Sequence, residues 1–398
     1  MVINFYIRDL FCFSLLYFKL PRQLLKFKMN KSMRSKRKKK PTAAKSGGDR
    51  SERKPTKPTA KKIGGAAQSE RAPPKKPKSN GVTCREQASA TSKKDSREKK
   101  SISNVGGSKE FWCGEETAKK MVASGYFNNT TITGVYKDLS TTKPSLDSCP
   151  CFKNNIQKVR APDCPIPDDK LIKLTHSPDT FICASRVNVP DFNRTMILTQ
   201  VPDVSNSQNI EDFWRMIFQE KVISIVIAVM PLESSVTLQQ IFPLLTGTYA
   251  NHGKMFLNNK KVESAVAMTS YKLEILPDGC SNSHFTTLYH LHNWRQKRGY
   301  DNIGELVTTI EKVLQVNENT VFMSMNGTGR AGTMLALFTA MLQVSKGKEV
   351  NPKETIEKLR AERCGVVDSA EQFGTVHKAM AHWFKNKSNS EEIQTLKI

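Results

Sequence analysis

Apolar positions in the second half of the chain recur at spacings that separate helices from strands. Phe213, Met216 and Ile217 fall at helical intervals within Asp212–Lys221, and Val222–Val229 follows as a short apolar run rich in β-branched residues. That order predicts an amphipathic helix feeding a buried strand. Ile303, Leu306, Val307, Ile310, Val313 and Leu314 make a second helical stripe, directly ahead of strand-like residues from Val321. Thr333–Val344 is then a largely apolar run of good helix formers. Two further helix starts are marked by caps: Asn351 followed by Pro352 and Glu354, and Ser369 with Gln372 at capping-box spacing. Alternating helices and strands over residues 106–388 predict one α/β domain, a central mixed sheet flanked by helices.

Composition changes the picture only toward the N-terminus. Residues 31–100 hold 24 Lys and Arg against 6 Asp and Glu, whereas residues 101–398 hold 33 against 30, so the net charge of +25 belongs mostly to a tail. Residues 29–105 contain no Phe, Tyr or Trp and cannot bury enough apolar surface to offset their ordering entropy, which predicts a disordered basic N-terminal tail. Its Lys36-Arg-Lys-Lys-Lys40 cluster fits a nuclear-localisation signal, nucleic-acid phosphates or an anionic membrane surface, with a solvated tether as the plain alternative. Residues 1–28 carry the apolar run Leu10–Phe18, too short to span a bilayer and without a cleavage site. Met29 is a plausible alternative start, so residues 1–28 are expected to be missing from the major product. Residues 389–398 read as a C-terminal tail.

The nine cysteines are scattered and include no CxxC pair, which points to a reducing intracellular compartment, cytoplasmic or nuclear. His290 and His292 share a face of a probable strand near His284, but no further ligand spacing accompanies them, so neither a metal nor a cofactor is expected.

The chemistry concentrates in Val321-Phe-Met-Ser324-Met-Asn326-Gly327-Thr328-Gly329-Arg330-Ala-Gly332-Thr333. Glycines let the backbone aim successive N–H groups into one concavity, a helix N-terminus adds partial positive charge, and Arg330 offers a planar fork. Gly327, Gly329, Asn326, Thr328 and Arg330 are therefore the expected oxyanion-binding set. A ligand-free strand-to-helix turn, with Arg330 as a structural brace, is the alternative.

This loop resembles the signature loop of the protein tyrosine phosphatases, in which a cysteine opens the loop and an arginine closes it six positions later. The resemblance extends to Asp179-Thr-Phe-Ile-Cys-Ala, Met196-Ile-Leu-Thr-Gln200-Val-Pro202, Asp212-Phe-Trp-Arg-Met216, and Leu359-Arg-Ala-Glu-Arg363 with Gln372-Phe373. It spans roughly 230 residues in the family's order and implies a domain of the soluble, tyrosine-specific type. The departures bear on function. Ser324 stands at the nucleophile position, and a hydroxyl lacks the acidity of a thiol. Met323 replaces the usual histidine before it, and Ala331 replaces the hydroxyl residue after the arginine. Trp294-Arg295-Gln296 stands where the family has Trp-Pro-Asp, and an amide cannot act as general acid. Asp368 aligns with the glutamine that positions water. No tyrosine falls within 153–164, where the substrate-stacking tyrosine belongs; Val159 is the nearest match.

The resemblance thus implies a catalytically degenerate member, a pseudophosphatase that binds partners, phosphotyrosyl proteins among them, without hydrolysing them. Two other readings stay open. One is an active phosphatase by an unusual route, with a base from His290, His292 or His377 acting on Ser324, or with Asp301 as acid. The other is an inert scaffold whose basic tail is the functional element.

Overall fold

The structure, a computed structural model, describes residues 112–397 apart from 178, 232, 234 and 235. They fall within one compact unit, Lys99–Ile398. The expected apolar segment 1–28 and basic tail 29–105 lie outside the described residues.

Nine strands form one sheet: β1 (Leu171–Lys173), β2 (Phe181–Val187), β3 (Met196–Gln200), β4 (Ser224–Ala228), β5 (Tyr249–His252), β6 (Met255–Ser264), β7 (Met268–Pro277), β8 (His284–Leu291) and β9 (Thr320–Ser324). Their order across the sheet is β1-β2-β3-β9-β4-β8-β7-β6-β5. The centre, β3-β9-β4-β8, is parallel, and antiparallel strands extend both edges. The mixed α/β expectation is met.

Central strands are covered on both faces, which explains why they read as continuous apolar runs. Along β9, Val321 and Met323 enter one core and Phe322 the other; along β4, Ile225 and Ile227 alternate in the same way with Val226 and Ala228. One face is covered by α4 (Ser207–Gln219), whose Phe213, Trp214, Met216 and Ile217 are buried and whose Trp214 indole donates to Ile241 O at 2.8 Å. The other core gathers α1 (Glu115–Ala123), α2 (Asn129–Lys137), α5 (Ile303–Val316), α6 (Gly329–Ser345), α7 (Pro352–Glu362) and α8 (Ala370–Lys387). A one-turn α3 (Pro150–Asn154) packs separately with Cys149, Ile166 and Phe181. Helix α6 is buried on nearly every side, the pattern of a helix apolar all round.

Both N-caps form: Asn351 Oδ1 accepts from Glu354 N at 3.2 Å, and Ser369 Oγ from Gln372 N at 3.2 Å, but the capping box at Ser369 is not closed, because Gln372 Oε1 accepts from Asp368 N instead. Residues 389–398, read as a tail, correct that reading in part. Glu391–Gln394 forms a helical turn, α9, whose Ile393 is fully buried in the core, while Gln394 donates to Lys385 O and Ser388 O. No helix among the described residues is long and apolar enough to cross a membrane.

Candidate functional site

The four parallel strands end in register: Gln200 pairs with Ser324, Ser324 with Ala228, and Ala228 with Leu291. Loops leaving β4, β8 and β9 therefore open at the same end of the sheet, where open α/β sheets offer a crevice. Those loops carry Glu233, Trp294–Lys297 and Met325–Thr328.

The β9 loop is held by close backbone contact. Gly327 has φ +68°, and a Cβ on it would lie 2.5 Å from Thr199 C and Gln200 N, so only glycine fits. Ser324, 2% exposed, uses its carbonyl to accept from Val201 N and Gly327 N, both at 3.1 Å. Gln200 fastens the neighbouring chain: its Oε1 accepts from Arg160 N at 2.8 Å and its Nε2 donates to Lys158 O at 2.7 Å.

Arg330 sits at the N-terminus of α6 and is 2% exposed. Its guanidinium is occupied: Nη2 donates to Glu233 Oε1 at 2.6 Å, and Nη1 to Glu233 Oε2 at 2.9 Å and to Trp294 O at 2.7 Å. The fork expected to face an oxyanion is bidentate with a carboxylate of this chain.

Trp294 is fully buried, stacks on Tyr300 with ring centroids 4.7 Å apart, and donates from its indole to Arg298 O at 2.9 Å. The loop after it is tied to α8, where Glu371 accepts from Arg298 Nη1 at 2.6 Å and from Gly299 N at 3.0 Å.

A cavity of about 390 Å³ opens beside these elements. Gln296, Lys297, Asn326, Thr328 and Asp368 line it together with Tyr136, Lys143, Asp163, Cys164, Arg360 and Gly365. The fold thus brings four of the singled-out residues, Gln296, Asn326, Thr328 and Asp368, to one cavity. Ser324, Gly327, Gly329, Arg330 and Trp294 are buried and do not line it. Val159 does not line it either, and the aromatic that does, Tyr136, comes from α2.

Asp368 covers the start of α6 so closely that a Cβ on Gly329 would meet its carboxylate at 2.6–2.7 Å. Its Oδ1 is buried without a hydrogen bond. Burial raises the Asp368 pKa above the ordinary carboxylate range, while Lys297 and the Arg330 charge pull it back. Gln372 Oε1 accepts from Asp368 N at 3.0 Å and from Thr333 Oγ1 at 3.2 Å, so its side chain braces this junction.

The histidines are engaged elsewhere. His284 donates to Val222 O, His290 to Val229 O and His377 to Phe373 O, and no hydrogen bond among the described residues joins any histidine to Ser324. Asp301 lines a different cavity, with Arg298 and Glu371. Among the described residues no group of three or more His, Cys, Asp and Glu could hold a metal ion. Glu233 and Lys297 escaped the sequence reading. Glu233 lies 97 residues from Arg330, and no local pattern marks it as the partner.

The chain is similar in sequence to known proteins. The family described as Protein-tyrosine phosphatase matches residues 155–382. The chain is 68% identical over 283 residues to a Caenorhabditis elegans protein named "Putative tyrosine-protein phosphatase C15H7.3", covering 71% of each. It is 24% identical over 253 residues to the Rattus norvegicus "Tyrosine-protein phosphatase non-receptor type 2", covering 61% of this chain and 60% of that one. To the Caenorhabditis elegans "Protein tyrosine phosphatase-like protein egg-3" it is 23% identical over 234 residues, covering 54% of this chain and 41% of that one. With the matched region taking in more than half of the chain, including the β9 loop and α6, this chain belongs to the protein-tyrosine phosphatase family.

Proposed function

We propose that the domain is a pseudophosphatase, which binds partners at the cavity, phosphotyrosyl proteins among them, without cleaving the phosphate ester. The observation that supports this reading is the set of groups at the positions the family resemblance assigns to the reaction: a buried hydroxyl at Ser324, and an amide at Gln296 and a carboxylate at Asp368 on the cavity wall. A thiolate attacks phosphorus because it ionises near neutrality, and serine does not. The leaving phenolate needs a proton that Gln296 cannot supply. Such losses act as a unit and leave only binding and electrostatic stabilisation. The expected result is no turnover of an aryl phosphate above background. Vanadate-sensitive turnover that disappears in Ser324→Ala would overturn the proposal.

Asp368 sets the conditions for anion binding. With a raised pKa it becomes neutral at a higher pH than an ordinary carboxylate, and the charge that opposes a ligand anion then disappears. Sulfate keeps its charge between mildly acidic and neutral pH, so it isolates the protein's own titration. Calorimetry on the full chain should show wild-type sulfate affinity rising as pH falls from neutrality. Asp368→Asn should bind on the order of tenfold tighter at neutral pH and lack that gain, because like charges near a protein surface repel by ~1–4 kcal/mol. Equal affinities at every pH would mean that no anion reaches the loop.

The same carboxylate has a stability signature. Its folded-state pKa is raised, so the folded form binds more protons around that pKa, and stability must fall as pH rises through it. Asp368→Asn should remove that component of the pH dependence.

A further inference from the structure

We propose that Cys164 and Cys364 are a redox pair, which a hydroperoxide converts to a disulfide across one wall of the cavity. The inference does not depend on what the cavity binds.

The two residues come from distant parts of the chain, Cys164 from the segment ahead of β1 and Cys364 from the junction between α7 and α8. Their side chains meet with Ala161 in a small cluster separate from the main cores. Both are free thiols, 6% and 2% exposed. Cys364 Sγ lies 3.4 Å from Pro165 O, next to Cys164 in sequence. Cys164 also lines the cavity, where its sulfur would stand 3.0 Å from a Cβ on Gly365. A small oxidant in the cavity therefore has a route to Cys164, and Cys164 has a second thiol behind it.

Arg363 supplies an independent reason for a thiolate at this place. It is 1% exposed, has no ion-pair partner among the described residues, and its Nε and Nη1 are buried without hydrogen bonds. A buried guanidinium without a carboxylate partner favours a negative charge nearby; it reaches the Cys183 thiol directly, and its charge also acts on Cys164 and Cys364. Cys183 is held up by its complete burial. Cys164 is lowered, chiefly by its Cys364 neighbour, with Lys143 and Arg363 assisting and burial and Asp163 opposing.

The chemistry balances with hydrogen peroxide as oxidant. The Cys164 thiolate attacks one peroxide oxygen, the S–O bond forms and the O–O bond breaks. The departing hydroxide takes a proton to become water, leaving sulfenic acid. The Cys364 sulfur then attacks the Cys164 sulfur, the S–S bond forms and the S–O bond breaks. The second oxygen leaves as water with the Cys364 proton. Two thiols and one peroxide give one disulfide and two waters.

The test uses the full chain, reduced, freed of reductant and treated with hydrogen peroxide. Peptide mapping by mass spectrometry should find the Cys164 and Cys364 peptides joined with the loss of two hydrogens, and dithiothreitol should release them. Cys364→Ala should abolish the link and leave a sulfenic acid at Cys164 that a dimedone probe traps. Recovery of both as free thiols, separate over-oxidation to sulfinic acids, or a link from Cys164 to Cys183 instead would each overturn the proposal. The wild-type mapping alone decides the matter if a variant fails to fold.

Discussion

Ser324→Cys alone should leave aryl phosphate hydrolysis about 10²–10⁴-fold below that of the triple variant Ser324→Cys, Gln296→Asp, Asp368→Gln, the range ascribed to general acid catalysis. The single change restores a thiol but not its surroundings. Gln296 lines the cavity as an amide and has no proton of suitable pKa to give. The Asp368 carboxylate lies against Gly329 at the N-terminus of α6, where it opposes both a thiolate at 324 and an incoming dianion. The triple variant removes both obstacles. Steady-state rates at several pH values decide: the triple variant should gain an acid limb in its profile that the single lacks. Equal rates would mean that Gln296 is not at the position of the acid or that Asp368 exerts no charge effect.

Periodicity revealed the elements whose burial is one-sided or complete, and failed where side chains carry no period. Apolar spacing predicts α4 only from Asp212, yet the helix begins at Ser207, because its first turn, Ser207-Gln208-Asn209, holds no apolar residue and is marked only by the Asn206 cap. The strands β5–β7 give no legible period for a related reason. In β6 the inward positions Met255 and Leu257 are followed by Asn259, a fully buried polar residue held by Pro243 O, which breaks the alternation.

For the site the limit is different. The β9 loop is contiguous, so its glycines, Ser324 and Arg330 could be identified directly from the sequence. Asp368 and Gln296 were found only through the family resemblance. What lies against these residues is a matter of long-range pairing. The Glu233–Arg330 fork, the Gln372 brace and the Cys164–Cys364 cluster each join segments whose local sequence names no partner. Charge and thiol chemistry have no period, so only the folded chain reveals which opposite charges or thiols meet.

That limit matters most at Glu233, whose loss should be the largest single destabilisation at the site. Arg330 is 2% exposed, and Glu233 accepts both Nη2 and one bond from Nη1. Glu233→Ala leaves the buried cation with Trp294 O alone. Breaking a buried pair in this way costs about 3–5 kcal/mol, and the 15% exposure of the Glu233 side chain places the expectation near ~3 kcal/mol. Urea unfolding at unchanged slope measures it through the midpoint. Two further results separate an ion-pair clamp from a merely structural loop. Arg330→Met combined with Glu233→Leu should be more stable than Glu233→Ala, since no charge is then left buried and unpaired. Sulfate should stabilise Glu233→Ala more than wild type, because the freed fork regains an anion, and ligand that binds only the folded state raises stability by mass action. A midpoint unmoved by Glu233→Ala would show that the guanidinium finds solvent or another acceptor at no cost, and the clamp would then have no part in holding the loop.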